Sequence, residues 1–344
     1  RTLTSKILVP KTSASTNSAT FAFELSGYYN LISPYLTIKK TFVHFMKKLL
    51  SALTPLAVLT LAIVIAGILG YFLFIAIDGA IPLRKLISKT ALILLMLAIF
   101  PTMYLLKFSK ADLGILPKKN FVLQIMAGLL IGVAILTPLF LTFYYLNIWV
   151  IDENFQFTPA IMTEKMLKIL LISFLISVPE EALFRGILLA SLKRVNGTLL
   201  AIALSAFYYA GLHFLKSKTE IPADQASLSS SYYLITDALT QLTNPENLSA
   251  FIALMSVGIF LATIRTKFPM SLGLCIGIHA GWVFLIKTNS AFLNRNPDSD
   301  WYFMVSNYDG VIGPMVTIWL TLITALFLSY TYLRNKPVNN SLEP

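Results

Sequence analysis

The sequence has few charged residues. Only 12% of its 344 residues are Asp, Glu, Lys or Arg, whereas 56% are hydrophobic, and the mean hydropathy is +0.74. Soluble domains usually carry about 25% charged residues, so this composition excludes a soluble globular protein. It fits a polytopic membrane protein instead.

Cysteine and histidine are also scarce. The single cysteine, Cys275, excludes an intramolecular disulfide. Of the three histidines, His44 lies in a basic flank, and His213 and His279 lie in apolar segments. Because an ionisable residue in hydrocarbon is expensive, each one inside an apolar segment is a candidate functional residue.

Acidic residues are almost absent from the N-terminal flank. The flank and the first turn after it supply about half of the net charge of +11, through Arg1, Lys6, Lys11, Lys39, Lys40, Lys47 and Lys48 against Glu24. This distribution is typical of a segment that orients a membrane protein, so we expect no nucleic-acid partner. Met46 opens a stretch that resembles a bacterial start. We therefore expect residues 1–45 to be a disordered or non-native flank, and 46–338 to be one transmembrane domain.

Long apolar runs follow this flank, each near or above the roughly 20 residues that a helix needs to cross a membrane. They cover 50–77, 90–106, 121–150, 168–192, 198–215, 248–264, 269–286 and 311–333. The runs predict an all-α transmembrane bundle of about eight spans. Small residues at Gly128 and Gly132, and at Gly273, Gly277 and Gly281, predict faces where helices approach closely.

Basic residues in the short loops predict the orientation of the chain. They place both termini in the cytoplasm, most simply of a bacterial inner membrane. The loop at 216–247 is long for a connection between helices. We expect it to be disordered rather than a lid over a substrate.

The stretch that organises the chain is Val178-Pro-Glu-Glu-Ala-Leu-Phe-Arg-Gly186. Glu180, Glu181 and Arg185 are the only formal charges that fall inside the predicted spans rather than at their ends. If this run is one helix, Glu181 and Arg185 stand at i and i+4 and can pair. Glu180 then points about 100° away from that pair and stays available for chemistry.

The two histidines lie at the depth of Glu180. Glu180 is 14 residues from Arg194, His213 is 15 from Thr198, and His279 is 12 from Lys267. At 1.5 Å per residue these spacings place all three about 18–22 Å from the cytoplasmic ends of their helices. A carboxylate with two imidazoles supports general-base activation of water, which suits amide hydrolysis without a covalent intermediate.

Three motifs resemble the CPBP family of intramembrane proteases, which includes CAAX prenyl endopeptidases and bacteriocin-processing or self-immunity relatives. They are Glu180-Glu181-x-x-x-Arg185, Tyr209-x-x-x-His213 and His279 in Ile-His-Ala-Gly-Trp. The resemblance covers about residues 166–288. It implies a glutamate-dependent intramembrane endopeptidase that acts on a membrane-delivered peptide or protein, without a cofactor or metal.

The resemblance also implies a role for each residue. Glu180 would be the general base on the hydrolytic water, assisted by His213. His279 would help to form the oxyanion site. Glu181 and Arg185 would hold the helix and tune Glu180.

Two positions depart from the family pattern. Tyr209 stands where the family usually has Phe, and Val283 stands where it usually has Asn. Val283 has no side-chain hydrogen-bond donor, and loss of one oxyanion donor can cost about 10²–10³ in rate. An inactive scaffold or binding protein on the same fold is therefore an alternative.

The sequence leaves three further hypotheses for the function open. A zinc protease would use Glu180 or Glu181 with His213 and His279 as ligands, although no His-Glu-x-x-His spacing supports it. Cys275 and His279 stand at i and i+4 and could form a nucleophilic dyad. A proton-coupled transporter is disfavoured, because the charges cluster in one motif and no inverted repeat is evident.

Overall fold

The computed structural model describes residues 17–153 and 158–334, with side chains from residue 41 onward except that of Lys118. The helices are α1 Asn17–Ala76, α2 Leu83–Leu106, α3 Lys118–Tyr145, α4 Pro159–Glu181, α5 Leu189–Asn196, α6 Thr198–Phe214, α7 Leu228–Thr243, α8 Leu248–Lys267, α9 Leu272–Phe292 and α10 Pro314–Arg334. A π-helix, Ala182–Leu188, joins α4 to α5. Short 3₁₀ turns occur at Ala223–Gln225, Pro245–Asn247 and Tyr302–Met304.

The prediction of an all-α transmembrane bundle is confirmed. Within the described ranges, six helices are long and apolar enough to cross a membrane: α1, α2, α3, α8, α9 and α10. The other two predicted spans are helical as well. Helix α4 carries charged residues in its first half and again at its end, and α6 has only 17 residues, about 25 Å, so neither has the length and composition of an ordinary span.

The chain divides into two compact units, residues 1–50 and 51–344. Helix α1 begins at Asn17, within the flank that the sequence analysis separates from the membrane domain. Residues 1–16 of that flank lie outside the described residues. Its status as a non-native segment stays a prediction.

The expectation of disorder at 216–247 is wrong. Helix α7 occupies half of this segment, and Ser227 caps it. The Ser227 hydroxyl accepts from the N–H of Ser230, and the Ser230 hydroxyl accepts from the N–H of Ser227. Leu234 lies in a buried cluster with apolar residues of α1 and α2. The capping serine and the apolar side chains at helical spacing predict this helix, and the length of the segment does not exclude one.

Helices α3 and α9 pack through the two predicted glycine faces. A Cβ atom at Gly277 would lie 2.7 Å from the nitrogen of Leu129 and 2.8 Å from the Cα of Gly128. Equivalent Cβ atoms at Gly128 and Gly132 would collide with the backbone around Ile278. Only glycine permits this backbone contact, which fixes α9 and therefore His279 relative to the rest of the bundle.

We expect Gly277→Ala to destabilise the protein by about 1–3 kcal/mol, because the backbone of α3 has to move away. Thermal unfolding of the purified protein in detergent measures the effect. Gly211→Ala in α6 is the matched control, since a Cβ there meets only Leu242 at 3.9 Å. The control is expected to be neutral or stabilising by about 0.5–1 kcal/mol. Equal behaviour of the two variants would contradict the packing argument.

Two short strands tie the connections at one end of the bundle. Strand β1, Trp149–Ile151, pairs antiparallel with β2, Leu293–Arg295, directly after α9. The indole N–H of Trp149 donates to the carbonyl of Gly310 at 2.9 Å. These contacts hold the loop before α10 in place at the end of α9.

Candidate active site

The two carboxylates lie where α4 passes into the π-helix. Pro179 lacks a backbone N–H, and the next turn is wound as a π-helix from Ala182 to Leu188. The carbonyl of Phe184 accepts a hydrogen bond from the Ser205 hydroxyl of α6 at 3.2 Å. Single π turns inside α-helices are frequent at functional sites, because they redirect the side chains that follow.

Helix α4 presents two stripes with different surroundings. Ser173, Ser177 and Glu181 stand four residues apart and are all fully buried. Ile172, Ile176 and Glu180 stand one position earlier and line a cavity. The 100° offset between consecutive helical residues therefore separates the buried carboxylate from the cavity carboxylate, as the sequence predicts.

Glu181 is the centre of a buried polar group. Its Oε1 accepts from Nη1 of Arg185 at 3.0 Å and from Nδ1 of His279 at 2.9 Å. The side chains of Glu181 and Arg185 are 0% and 1% exposed. A charge this deeply buried is tolerated only when paired, so the guanidinium compensates the Glu181 carboxylate. The imidazole adds a hydrogen bond that joins α4 to α9.

Glu180 lies between the two imidazoles. Its Oε2 is 3.8 Å from Nε2 of His213 and 3.9 Å from Nε2 of His279. These separations are longer than direct hydrogen bonds, and Oε2 is buried without a hydrogen bond to any described residue. A buried carboxylate oxygen in this position has a strong tendency to bind a donor such as water.

The other ring nitrogens of the two histidines fix their tautomers. Nδ1 of His213 lies 2.8 Å from the carbonyl oxygen of Tyr209, which can only accept, so Nδ1 carries the proton. Nδ1 of His279 donates to the Glu181 carboxylate by the same argument. The Nε2 atom of each ring faces Glu180.

Tyr209 occupies the middle of this arrangement. Its ring centroid lies 4.5 Å from that of His213 and 6.2 Å from that of His279. The Arg185 guanidinium lies over the ring, 4.3 Å from its centroid. The ring of Phe184 is perpendicular to that of Tyr209, and the two ring centroids are 5.2 Å apart. The ring is therefore held on several sides by residues of the candidate site.

The cavity that contains Glu180, His213 and His279 has a volume of about 920 Å³. Its walls are largely apolar, with side chains from α3, α4, α6, α8, α9 and α10, and Val283 is among them. Near the ends of α6 and α9 it is lined by Lys216, Lys287 and the loop residues Tyr308 and Asp309. Cavities of this size accommodate an extended peptide segment or another ligand of that size.

Asp309 lies in the loop before α10 and lines the cavity. Burial raises the pKa of its carboxyl group, and hydrogen bonds from the backbone N–H groups of Ile312 and Val311 act in the opposite direction. These two bonds hold the loop at the start of α10. Asp309 therefore shapes the cavity through its loop.

All five residues proposed from the sequence come together in this site: Glu180, Glu181, Arg185, His213 and His279. Their catalytic roles stay predictions. Tyr209 also belongs to the site, and its spacing of four residues from His213 is the sequence signal that places the two on one helix face. No local signal marked Tyr308 and Asp309, because they lie in a loop far along the chain.

The geometry does not support the hypotheses of a Cys275–His279 dyad or of a zinc protease. Cys275 is fully buried, and its thiol donates to the carbonyl of Leu261 on α8, 3.6 Å away, rather than to His279. Within residues 17–153 and 158–334, no three His, Cys, Asp or Glu side chains are arranged to hold a metal ion.

Residues 162–285 match the family model for the type II CAAX prenyl endopeptidase Rce1-like family. This region is Rce1-like. The match confirms the resemblance inferred from the three motifs, and it contains all five candidate residues as well as Tyr209 and Val283. Neither the curated proteins nor the solved structures include a significant match to the chain.

The Rce1-like region and the six membrane-length helices together indicate an integral, multi-pass membrane protein that contains a region similar to the type II CAAX prenyl endopeptidases. The region runs from α4 to α9, so it includes every helix that carries a candidate residue. Helices α1 to α3 and α10 lie outside it. Of these, α3 is the close packing partner of α9.

Proposed function

We propose that the protein is an intramembrane endopeptidase that hydrolyses a peptide bond of a membrane-associated protein or peptide through a water activated by Glu180. The observation that carries the proposal is the position of Glu180 Oε2 between the two Nε2 atoms, at 3.8 and 3.9 Å, on the wall of a large cavity. The family match supports proteolysis as the reaction class.

The reaction begins with a water bound at Glu180. The carboxylate accepts a proton from this water as the oxygen attacks the scissile carbonyl carbon. The carbonyl π electrons move to oxygen and form a tetrahedral oxyanion. His213 faces the same carboxylate and helps to orient the water.

Collapse of this intermediate completes the hydrolysis. The oxyanion re-forms a carbonyl, the carbon–nitrogen bond breaks, and the proton held by Glu180 passes to the leaving amine. The products are a carboxylic acid and an amine, and the enzyme returns to its starting state. No bond between enzyme and substrate forms at any step.

Glu180 and Glu181 have different roles because their surroundings differ. Glu181 is fully buried, accepts from Arg185 and His279 through Oε1, and does not line the cavity, so it holds α9 in register with the π-helix. Glu180 is 23% exposed, lines the cavity and has an oxygen without a hydrogen bond to the described residues. Only Glu180 can meet both a water and a substrate.

The lining of the cavity favours a substrate that arrives through the membrane. Apolar side chains line most of the wall, among them Leu136, Ile172, Ile176, Leu254 and Val257. Apolar walls with a few convergent polar groups are typical of sites that bind a ligand in one orientation. An extended peptide with apolar side chains, delivered from the bilayer, satisfies this surface.

The experiment compares membrane proteomes of cells that carry the wild type or Glu180→Gln, scored for peptide termini that disappear in the variant. We expect a small set of lost termini, which identifies the substrate and the cleaved bond together. Glu164→Gln is the matched control, because Glu164 lies on the same helix, is exposed and pairs with Lys168. The control should retain every terminus.

One observation favours the inactive scaffold as a second candidate. The position one turn after His279 on the cavity wall is Val283, which cannot donate a hydrogen bond to an oxyanion. If wild-type and Glu180→Gln membranes show identical termini with both proteins expressed and inserted, the hydrolytic mechanism fails. The protein is then an inactive scaffold or binding protein on the same fold.

A further inference from the structure

This inference rests on the proposed function and concerns the group that stabilises the oxyanion. Attack of water on a carbonyl places a negative charge on oxygen, and a donor aimed at that oxygen is often the largest single contribution to the rate. The Nδ1 atoms of both histidines are already engaged, one with the Tyr209 carbonyl and one with Glu181. With Val283 at the next turn of α9, the donor has to come from elsewhere on the cavity wall.

The Tyr209 hydroxyl is available for this purpose. Tyr209 lines the cavity, and its hydroxyl forms no hydrogen bond with any residue that the structure describes. The ring itself is 2% exposed and fixed by Phe184, His213 and the guanidinium of Arg185. A rigidly held neutral donor without a partner needs little reorganisation when charge develops.

The neighbouring tyrosine shows the contrast. Tyr208 is adjacent in α6, yet its hydroxyl donates to the carbonyl of Ala52 in α1 at 2.6 Å. It lines a different, apolar cavity between α1, α2 and the π-helix. The hydroxyl of Tyr208 therefore stabilises helix packing, whereas Tyr209 lines the cavity of the candidate site.

We propose that the Tyr209 hydroxyl donates a hydrogen bond to the oxyanion of the tetrahedral intermediate. The proton stays on Tyr209 throughout, and Glu180 carries the proton taken from water. Tyr209 thereby supplies the donor that the aliphatic Val283 does not. The cation over its ring keeps the phenol in one orientation while the substrate changes from planar to tetrahedral.

The test uses the full chain in detergent and a fluorogenic peptide that spans the bond located by the comparison of termini. Tyr209→Phe removes only an oxygen atom that has no partner among the described residues, so thermal stability should not change. We expect kcat to fall about 10²-fold with KM nearly unchanged, which is the signature of a contact made in the transition state. Tyr208→Phe is the matched control: it should lower thermal stability and leave kcat unchanged.

A second variant separates chemistry from structure. Val283→Asn places an amide donor on the cavity wall one turn from His279 and should recover at least tenfold of the rate lost in Tyr209→Phe. Failure of this recovery together with a raised KM would overturn the assignment, because Tyr209 would then shape substrate binding. A wild-type kcat in Tyr209→Phe overturns it as well, while leaving hydrolysis by Glu180 intact. If the wild type and Glu180→Gln process the peptide equally, the proposed function and this inference fall together.

Discussion

Glu180→Gln is expected to lower kcat for peptide cleavage by about 10²–10⁴-fold, the usual contribution of a general base. Glutamine has nearly the same shape as glutamate but cannot accept the proton of the attacking water. The side chain is on the cavity wall and makes no direct hydrogen bond through Oε2, so the isosteric amide removes no hydrogen bond at that oxygen. The rate of chemistry should fall while the fold and peptide binding persist.

The measurement is single-turnover cleavage by the purified protein, with peptide binding determined separately. Glu164→Gln makes the same change on the exposed face of α4 and should keep the full rate. His213→Ala is expected to abolish cleavage as well, because it removes the imidazole 3.8 Å from the same carboxylate oxygen. Normal cleavage by either Glu180→Gln or His213→Ala would refute the mechanism.

Arg185→Met is expected to destabilise the protein by about 3–5 kcal/mol, because it leaves the Glu181 carboxylate buried without its cation. Glu181 is 0% exposed and cannot reach water by a small movement. Its remaining partner is Nδ1 of His279. Methionine fills much of the space of the arginine stem, so the loss reports mainly on the uncompensated charge.

The double variant Glu181→Gln with Arg185→Met distinguishes charge from packing. Removal of both charges should restore most of the stability lost in Arg185→Met, since a neutral amide can keep a hydrogen bond to His279. Unfolding of the purified proteins in detergent, followed by circular dichroism, measures both effects. A loss below about 1 kcal/mol in Arg185→Met would show that Glu181 is not held by this pair.

Much of the bundle could be predicted from the sequence because the membrane simplifies the problem. Apolar runs of about 20 residues have to be helices in hydrocarbon, since each backbone N–H and carbonyl needs a partner inside its own segment. The glycine faces of α3 and α9 were readable for a similar reason: a regular spacing of small residues allows close contact. The length of the segment 216–247 led to a wrong expectation of disorder, whereas the capping serine at the start of α7 indicates a helix.

The candidate residues were predictable because charge is rare in this chain. Glu180, Glu181 and Arg185 stand out in an apolar run, and the i, i+4 spacing predicted the pairing of Glu181 with Arg185 at 3.0 Å. Equal depth in three helices predicted that His213 and His279 lie near Glu180. Helical rise and rotation are fixed quantities, so these inferences need no knowledge of how the helices pack.

Other features depend on packing between segments far apart in the chain. The sequence did not indicate that Nδ1 of His279 bonds to Glu181, 98 positions earlier, or that Cys275 turns toward α8. It did not distinguish the hydroxyl of Tyr208 from that of Tyr209, because the difference lies in what each meets on another helix. The sequence by itself determined which helices form and which residues they carry at a common depth. Tertiary structure decided which atoms of those residues meet, because contacts between helices depend on side-chain volumes and rotations that no local pattern records.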